Sequence, residues 1–258
     1  MAVPVSCCII TYNEEGNLED CLKSVSWADE IVVVDSHSTD RTVETARNHT
    51  DRVIDHDFEG HVQQKNYAID QAKNEWVLCV DADERVSPAL KEEMLEALSD
   101  PGDTAGFSMP RLTHYLGRFL RRGGWYPDRK LRLFRKDKGR WTGRNPHDRV
   151  EVEGPVKEFN GDLLHYSYRD IADHLKTVNS FTTIMAEEMA REGGTSRVID
   201  LIFRGPFKFF KMYVLKGGFL EGKAGLVIAV ISSYYVFLKY AKLWELRRVT
   251  PRTPASSA

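Results

Sequence analysis

The chain has 258 residues, of which 42% are hydrophobic, 10% aromatic and 29% charged. That balance supports one large domain, or a domain with an appendage, and excludes a disordered, fibrous or polytopic membrane protein. The formal net charge of −2 names no partner, but the charge is sorted along the chain: residues 1–100 carry 22 acidic against 8 basic side chains, 118–150 carry 3 against 12, and 201–250 carry 2 against 9. Sorting of this kind is expected when different segments meet different partners.

Elements follow in chain order. Val5 to Ile10 is a continuous apolar run, followed by the polar loop from Thr11 and by Leu18, Cys21, Leu22 and Val25 at helical spacing, which reads as strand, loop, helix. The pattern repeats with a strand over 30–34, a loop over 35–40 and a helix over 41–48, then a short strand over 52–54, a helix over 60–72 and a strand over 75–80. Apolar strands alternating with helices imply a parallel sheet covered on both faces, with ligands bound beyond the carboxyl ends of its strands. Residues 101–170 bring more Gly, Pro, Arg and aromatics, with short strands expected over 106–110, 131–134 and 149–152. A helix from about 170 to 192 and two further apolar helical stretches precede a Pro, Ser and Ala tail over 251–258, expected to be disordered. Cys7, Cys8, Cys21 and Cys79 form neither a disulfide framework nor a CxxC metal spacing, which fits a reducing cytosol. The N-terminus lacks a basic n-region, so no signal peptide is expected.

The polar clusters all stand at strand ends. Turn and capping needs explain Thr11, Asn13, Ser36 and Ser38 well, but not Asp81-Ala82-Asp83-Glu84: three carboxylates in four residues repel one another unless something cationic sits among them. Side chains two apart on an extended strand share a face. A carboxylate pair so placed suits Mg2+ or Mn2+, whose shells are completed by water and phosphate oxygens.

Three segments resemble a known family. Cys7-Cys-Ile-Ile-Thr-Tyr-Asn-Glu-Glu15, Val32-Val-Val-Asp-Ser-His-Ser-Thr-Asp-Arg-Thr42 and Val80-Asp-Ala-Asp-Glu-Arg85 are similar, in order and spacing, to the two strand-loops and the DxD segment of family 2 glycosyltransferases. The resemblance covers about residues 4–170 and implies an α/β, GT-A type fold. That fold is a mixed, mostly parallel sheet flanked by helices, with a Rossmann-like nucleotide-binding half and here a helical C-terminal extension. It further implies a UDP-sugar donor, lined by Thr11, Tyr12, Asn13 and Glu14, with Asp35 on the uridine and Lys65, Asp81 and Ala82 on the ribose and phosphates. Asp83 and Asp81 would serve the Mg2+ or Mn2+, joined by His165; His147 is a second such candidate. The implied reaction is inverting transfer of a hexose. Relatives carry the base in a Glu-Asp pair before a Leu and an Arg; here Pro127-Asp128 stands there, so Asp128 is the candidate base, against a plain Pro-Asp turn.

Around Asp128, the basic residues interleave with Trp125, Tyr126 and Phe134. The acidic first half argues against nucleic acid as the partner. The alternatives are an anionic acceptor held by basic residues such as Arg122, with Trp125 and Tyr126 as an apolar platform for a sugar ring, a lipid head-group surface, or an ordinary solvated face. In the C-terminal part, Phe203, Phe207, Phe210 and Val214 fall on one helical face beside Arg204, Lys208 and Lys211, the pattern of a helix lying at an anionic membrane surface. The uncharged run 225–238 is short for a transmembrane span.

The Gly124-Trp-Tyr-Pro-Asp segment with this tail is similar to the bacterial β-glucosyltransferases that extend the lipopolysaccharide inner core. The expected organisation is therefore a catalytic domain over 1–170, with a nucleotide-sugar half to residue 100 and an acceptor half beyond it. A helical segment over 171–250 would contact the membrane or form a homo-oligomer. The expected function is transfer of glucose to an anionic lipid-linked glycan by a cytoplasmic enzyme, peripheral on the cytosolic face of the inner membrane. Transfer to a polyprenyl phosphate and a non-catalytic nucleotide-sugar-binding protein are the alternatives.

Overall fold

A computed structural model describes residues 3–143 and 148–248; His147 and the tail over 251–258 lie outside them. The chain divides into two compact units, one of residues 1–114 and 127–167, the other of 115–126 and 168–258. The stretch 115–126, expected with the acceptor half, thus belongs to the unit that holds the C-terminal helices.

The first unit alternates strand and helix as anticipated: β1 (Val5–Thr11), α1 (Leu18–Ser24), β2 (Glu30–Asp35), α2 (Thr42–Arg47), β3 (Val53–Asp55), α3 (His61–Gln71) and β4 (Trp76–Asp81). Next come β5 (Glu84–Val86), α4 (Pro88–Ser99) and β6 (Gly106–Tyr115). After the short β7 (Arg118–Phe119) of the second unit follow β8 (Asp128–Arg135), β9 (Gly139–Thr142), β10 (Arg149–Val152), β11 (Val156–Glu158) and β12 (Leu163–His165). Helix α4 is absent from the sequence reading. Its signals are local: the Ser87 hydroxyl accepts from the Leu90 amide at 3.2 Å, Pro88 opens the first turn, and Leu90, Met94 and Leu98 are buried, a capped amphipathic helix.

The sheet runs β3-β2-β1-β4-β8-β6-β12-β5. β1 pairs parallel with β2 and β4, and β2 with β3. Alternate side chains of β1 feed two cores: Val5, Cys7 and Ile9 pack with Leu18, Leu22, Leu90 and Met94, whereas Cys8 packs with Val34, Ala68, Ile69 and Cys79. This two-sided burial is why the parallel strands read as unbroken apolar runs. Each fully buried Leu or Ile contributes about 1.5–3 kcal/mol.

Strand β8 reverses direction. It lies antiparallel to β4, with Trp76 opposite Arg135 and Leu78 opposite Leu133, and antiparallel to β6, with Arg111 opposite Asp128. The first residues of β8 therefore reach the edge where β1, β2 and β4 end. β12 runs parallel to β6 and antiparallel to β5, setting His165 beside Thr113 and Glu84, so it ends at the same edge.

In the second unit, α5 (Ile171–Arg191), α6 (Val198–Phe210) and α7 (Gly222–Arg248) are joined by a π-type turn, Lys211–Leu215, and a 3-10 turn, Gly218–Glu221. Asp170 caps α5 by accepting from the Asp173 amide at 2.8 Å. Both α5 and α6 pack on α7. The uncharged run 225–238 lies inside the 27 residues of α7, and the helical stretch Gly218–Arg248 is long and apolar enough, by length and composition, to cross a membrane. Its charges do not end it: Lys is a good helix former, and Lys242 donates to Asn179, Thr182 and Thr183 of α5 at 2.6–2.9 Å.

Gly161, just before β12, is required for space. A Cβ there would lie 2.5 Å from the Leu90 backbone, and a backbone neighbour cannot yield. Gly161→Ala should cost about 2–3 kcal/mol, read as a lower urea midpoint; an unchanged midpoint would contradict this packing.

Candidate active site

The site is assembled from the ends of β1, β2, β4, β8 and β12. The first two loops are latched together. Asn13 takes a left-handed conformation with φ 53°, its amide donates to Ser38 Oγ at 2.8 Å, and its Oδ1 accepts from the Thr39 amide at 2.8 Å. The Glu14 amide donates to Thr42 Oγ1 at 2.8 Å. Asn tolerates positive φ better than most residues and bonds neighbouring backbone, which is why it stands at this crossing. Asp35 is 2% exposed and shapes the second loop, accepting from the Ser38 amide at 2.7 Å and its hydroxyl at 2.6 Å. Thr11 and Ala82 are buried, and Tyr12 is exposed.

The acidic run after β4 has the cations its sequence demands. Arg132, 3% exposed, places one guanidinium nitrogen 2.7 Å from Asp81 Oδ2 and 2.7 Å from Glu84 Oε1, and Glu84 has no solvent-exposed side-chain area. Glu84 also accepts from the Asp81 amide at 3.0 Å and meets Arg111 at 3.4 Å. Lys65, expected near the donor, lies buried with Nζ 3.1 Å from Asp81 Oδ1, 2.8 Å from Asp148 Oδ2 and 4.1 Å from the Trp141 ring centre. Both oxygens of Asp81, an expected metal ligand, are thus engaged by cations. Burial pushes the Asp81 carboxyl up, but Lys65 and Arg132 outweigh it and hold it well below the usual carboxylate range. In the same way burial pushes Arg132 down, and Glu84 and Asp81 drive it above its ordinary value.

Asp128, the expected base, opens β8 and meets Arg111 at 2.6 Å and Lys130 at 3.0 Å. Burial raises its carboxyl; Arg111 and Lys130 outweigh that and leave it below the ordinary value. Asp83 differs from its neighbours. Among the described residues its carboxylate pairs with His165, Oδ2 to Nε2 at 3.2 Å, with no Lys or Arg beside it, while the other ring nitrogen of His165 faces Thr113 Oγ1 at 3.4 Å. The pair is held by the ladder between β5 and β12, which the Tyr166 amide extends by donating to the Asp83 carbonyl at 2.9 Å.

No group of three or more His, Cys, Asp and Glu side chains forms a metal cage among the described residues. A carboxylate and an imidazole side by side nevertheless suit a divalent cation whose remaining positions go to phosphate and water.

The expected acceptor residues belong to the second unit. The backbone amides of Arg121 and Arg122 both donate to Glu221 Oε1 at 3.0 Å, and Arg118 pairs with the same buried carboxylate at 2.8 Å. Trp125 lies in an aromatic cluster with Tyr115, Tyr168 and His174, and the Arg121 guanidinium lies 5.1 Å from the Tyr126 ring centre. Burial pushes His174 down to about 4, so this cluster is neutral.

Arg111 and Asp148 were missed from the sequence as site residues, Glu84 was seen only as the third carboxylate of the acidic run, and Arg132 only as one of many basic residues. The one usable signal was the demand of Asp81-Ala-Asp-Glu84 for cations; nothing in the spacing said which cations answer it.

Residues 6–153 match the family model for glycosyl transferase family 2, and the chain belongs to that family. It is 30% identical to the lipopolysaccharide core biosynthesis glycosyltransferase LpsC of Rhizobium meliloti over 99% of this chain and 97% of that protein. It is 29% identical to an uncharacterized glycosyltransferase of Rickettsia typhi over 94% and 87%. Among solved structures, the mannosyltransferase PcManGT of Pyrobaculum calidifontis, in complex with GDP-Man and Mn2+, superposes with a TM-score of 0.52 over 94% of this chain and 87% of that one, at 15% identity. The fold is the GT-A glycosyltransferase fold, mixed and mostly parallel, with a helical C-terminal segment.

Removing the central cation strands a fully buried carboxylate. Arg132→Met should therefore lower stability by about 3–5 kcal/mol, and Glu84→Gln in the same chain should recover part of the loss. Urea unfolding measures both, and an Arg132→Met chain as stable as the wild type would contradict the network.

Proposed function

We propose that the chain transfers a hexose, glucose in the first instance, from a UDP-sugar to an anionic sugar of a lipopolysaccharide inner core, with inversion and with a divalent cation, at the cytosolic face of the membrane. The observation that carries the catalytic part is the isolation of Asp83. Its neighbours Asp81 and Glu84 are neutralised by Lys65, Arg132 and Arg111, whereas among the described residues Asp83 has only His165 and so is the carboxylate with charge left for a metal. The acceptor class is supported by the name of the Rhizobium meliloti relative, which matches along nearly its whole length.

In this reading Thr11, Tyr12, Asn13, Glu14 and Asp35 line the nucleoside. Asp81, fixed by Lys65 and Arg132, serves the ribose, and Ala82 lets the donor approach the strand end. Asp83 and His165 hold the cation, and the imidazole favours Mn2+ over Mg2+, which takes oxygen donors. When bound, the cation stabilises the negative charge that develops on the leaving diphosphate. Asp128, kept ionised at neutral pH by Arg111 and Lys130, takes the proton of the acceptor hydroxyl. The new carbon–oxygen bond forms at the anomeric carbon as the bond to UDP breaks. A carboxyl so depressed is a weak base, and its position, not its basicity, is what it contributes. Arg122, Trp125 and Tyr126 are assigned to the acceptor.

UDP release from UDP-glucose with purified protein, Mn2+ and truncated lipopolysaccharide tests this reading. Asp83→Ala should abolish metal-dependent release, His165→Ala should reduce it by roughly 10- to 100-fold, and Asp128→Asn should keep UDP binding while transfer falls by about 100-fold or more. Full turnover in Asp83→Ala would remove the metal assignment, and full transfer in Asp128→Asn would move the base elsewhere.

A further inference from the structure

Helix α6 of the second unit turns an apolar side to solvent. On α6, Ile199, Ile202, Phe203, Phe207 and Phe210 are 47–62% exposed, and their spacing of three and four residues places them on one helical face. The inner side of α6 is defined by Gly205, where a Cβ would lie 3.2 Å from the Ser233 carbonyl of α7; the exposed row lies away from that contact. Leu215 and Leu220, in the turns that follow, are 64% and 54% exposed. An apolar row this long on a soluble surface marks an interaction site.

The charges beside the row are of one sign. Arg204, Lys208, Lys211 and Lys216 are the charged residues between 201 and 220, and the flanking acids, Asp200 and Glu221, are both buried and paired, with Arg204 at 2.6 Å and Arg118 at 2.8 Å. Lys239 of α7 joins them: burial, Arg204 and Lys208 all push its ammonium down. Burial, Lys216 and Lys211 do the same to Lys208. Cations crowded enough to disfavour one another want an anionic partner. A second copy of this face would bring the same cations against themselves, so self-association is disfavoured. A free phosphate would answer the charges and leave the apolar row unused. A bilayer with anionic headgroups answers both, because lysines beside an apolar face reach the headgroups while aromatic and aliphatic side chains enter the acyl boundary.

We infer that α6 and the turns after it form an in-plane anchor for an anionic phospholipid bilayer, with Phe203 and Phe207 inserted and Lys208, Lys211 and Lys216 on the headgroups. This deepens the membrane placement proposed above by naming the surface and the lipid chemistry, and it rests on none of the catalytic assignments.

Co-sedimentation of the full chain with vesicles tests it, using phosphatidylcholine alone against phosphatidylcholine mixed with phosphatidylglycerol. Binding should require phosphatidylglycerol and weaken at about 0.5 M salt, where screening shortens to a few ångströms. Lys211→Ala with Lys216→Ala should weaken it roughly tenfold or more, and Phe203→Ser with Phe207→Ser should abolish it with the circular dichroism spectrum unchanged. UDP release should persist in all these variants, so a catalytic failure and an anchoring failure remain distinguishable. Equal binding to neutral vesicles, or no binding to either kind, would overturn the inference. So would a dimer in sedimentation velocity that Phe203→Ser with Phe207→Ser dissolves without any loss of vesicle binding.

Discussion

A single buried guanidinium organises the acidic edge of this sheet. Arg132 neutralises Asp81 and Glu84 together, and without it three carboxylates in four residues would repel one another in a partly dehydrated site. A buried ion pair contributes little net stability, because desolvation offsets most of the attraction. What it supplies here is selection: Asp81 and Glu84 are satisfied inside the protein, and Asp83 is left beside an imidazole. The chemistry proposed for the site follows from that uneven sharing.

The sharing depends on topology. Only a strand antiparallel to β4 brings its beginning to the edge where β4 ends, and β8 does this, so Asp128, Lys130 and Arg132 all arrive from one strand. β12 then delivers His165 by pairing with β5, the three-residue strand that begins on Glu84, the last residue of the acidic run. The cations come from both parts of the sheet: α3 of the parallel half supplies Lys65, and β6 and β8 supply Arg111 and Arg132. The basic count in residues 118–150 is therefore not only a surface property, since Arg132 is among the most buried charged side chains of the unit.

Much of this was legible in the sequence where the governing interactions are local. The parallel strands announce themselves as apolar runs because both of their faces are covered, and the loops carry Asn13, Asp35 and Asp81 where strands must end. Helix α4 was legible too, through Ser87, Pro88 and the spacing of Leu90, Met94 and Leu98, and went unread. What spacing does not contain is pairing across the sheet. Lys65 reads equally as a surface lysine of α3, and only its approach to Asp81 and Asp148 shows it buried. Arg111 carries no local mark at all. Three-residue strands such as β5 and β12 have too few residues to show a period, yet they hold Asp83 and His165 together. The uncharged run 225–238 gives no measure of α7 for the opposite reason: the helix continues past the lysines on either side, and Lys242 is bonded into α5.

The central claim is that Asp83 with His165, and not Asp81, carries the divalent cation. Electron paramagnetic resonance titration of Mn2+ in the presence of UDP measures this without any turnover. The account predicts that Asp83→Asn weakens Mn2+ binding by roughly tenfold or more, whereas Asp81→Asn, which removes a carboxylate already neutralised, leaves it far less affected. Wild-type Mn2+ affinity in Asp83→Asn would contradict the account.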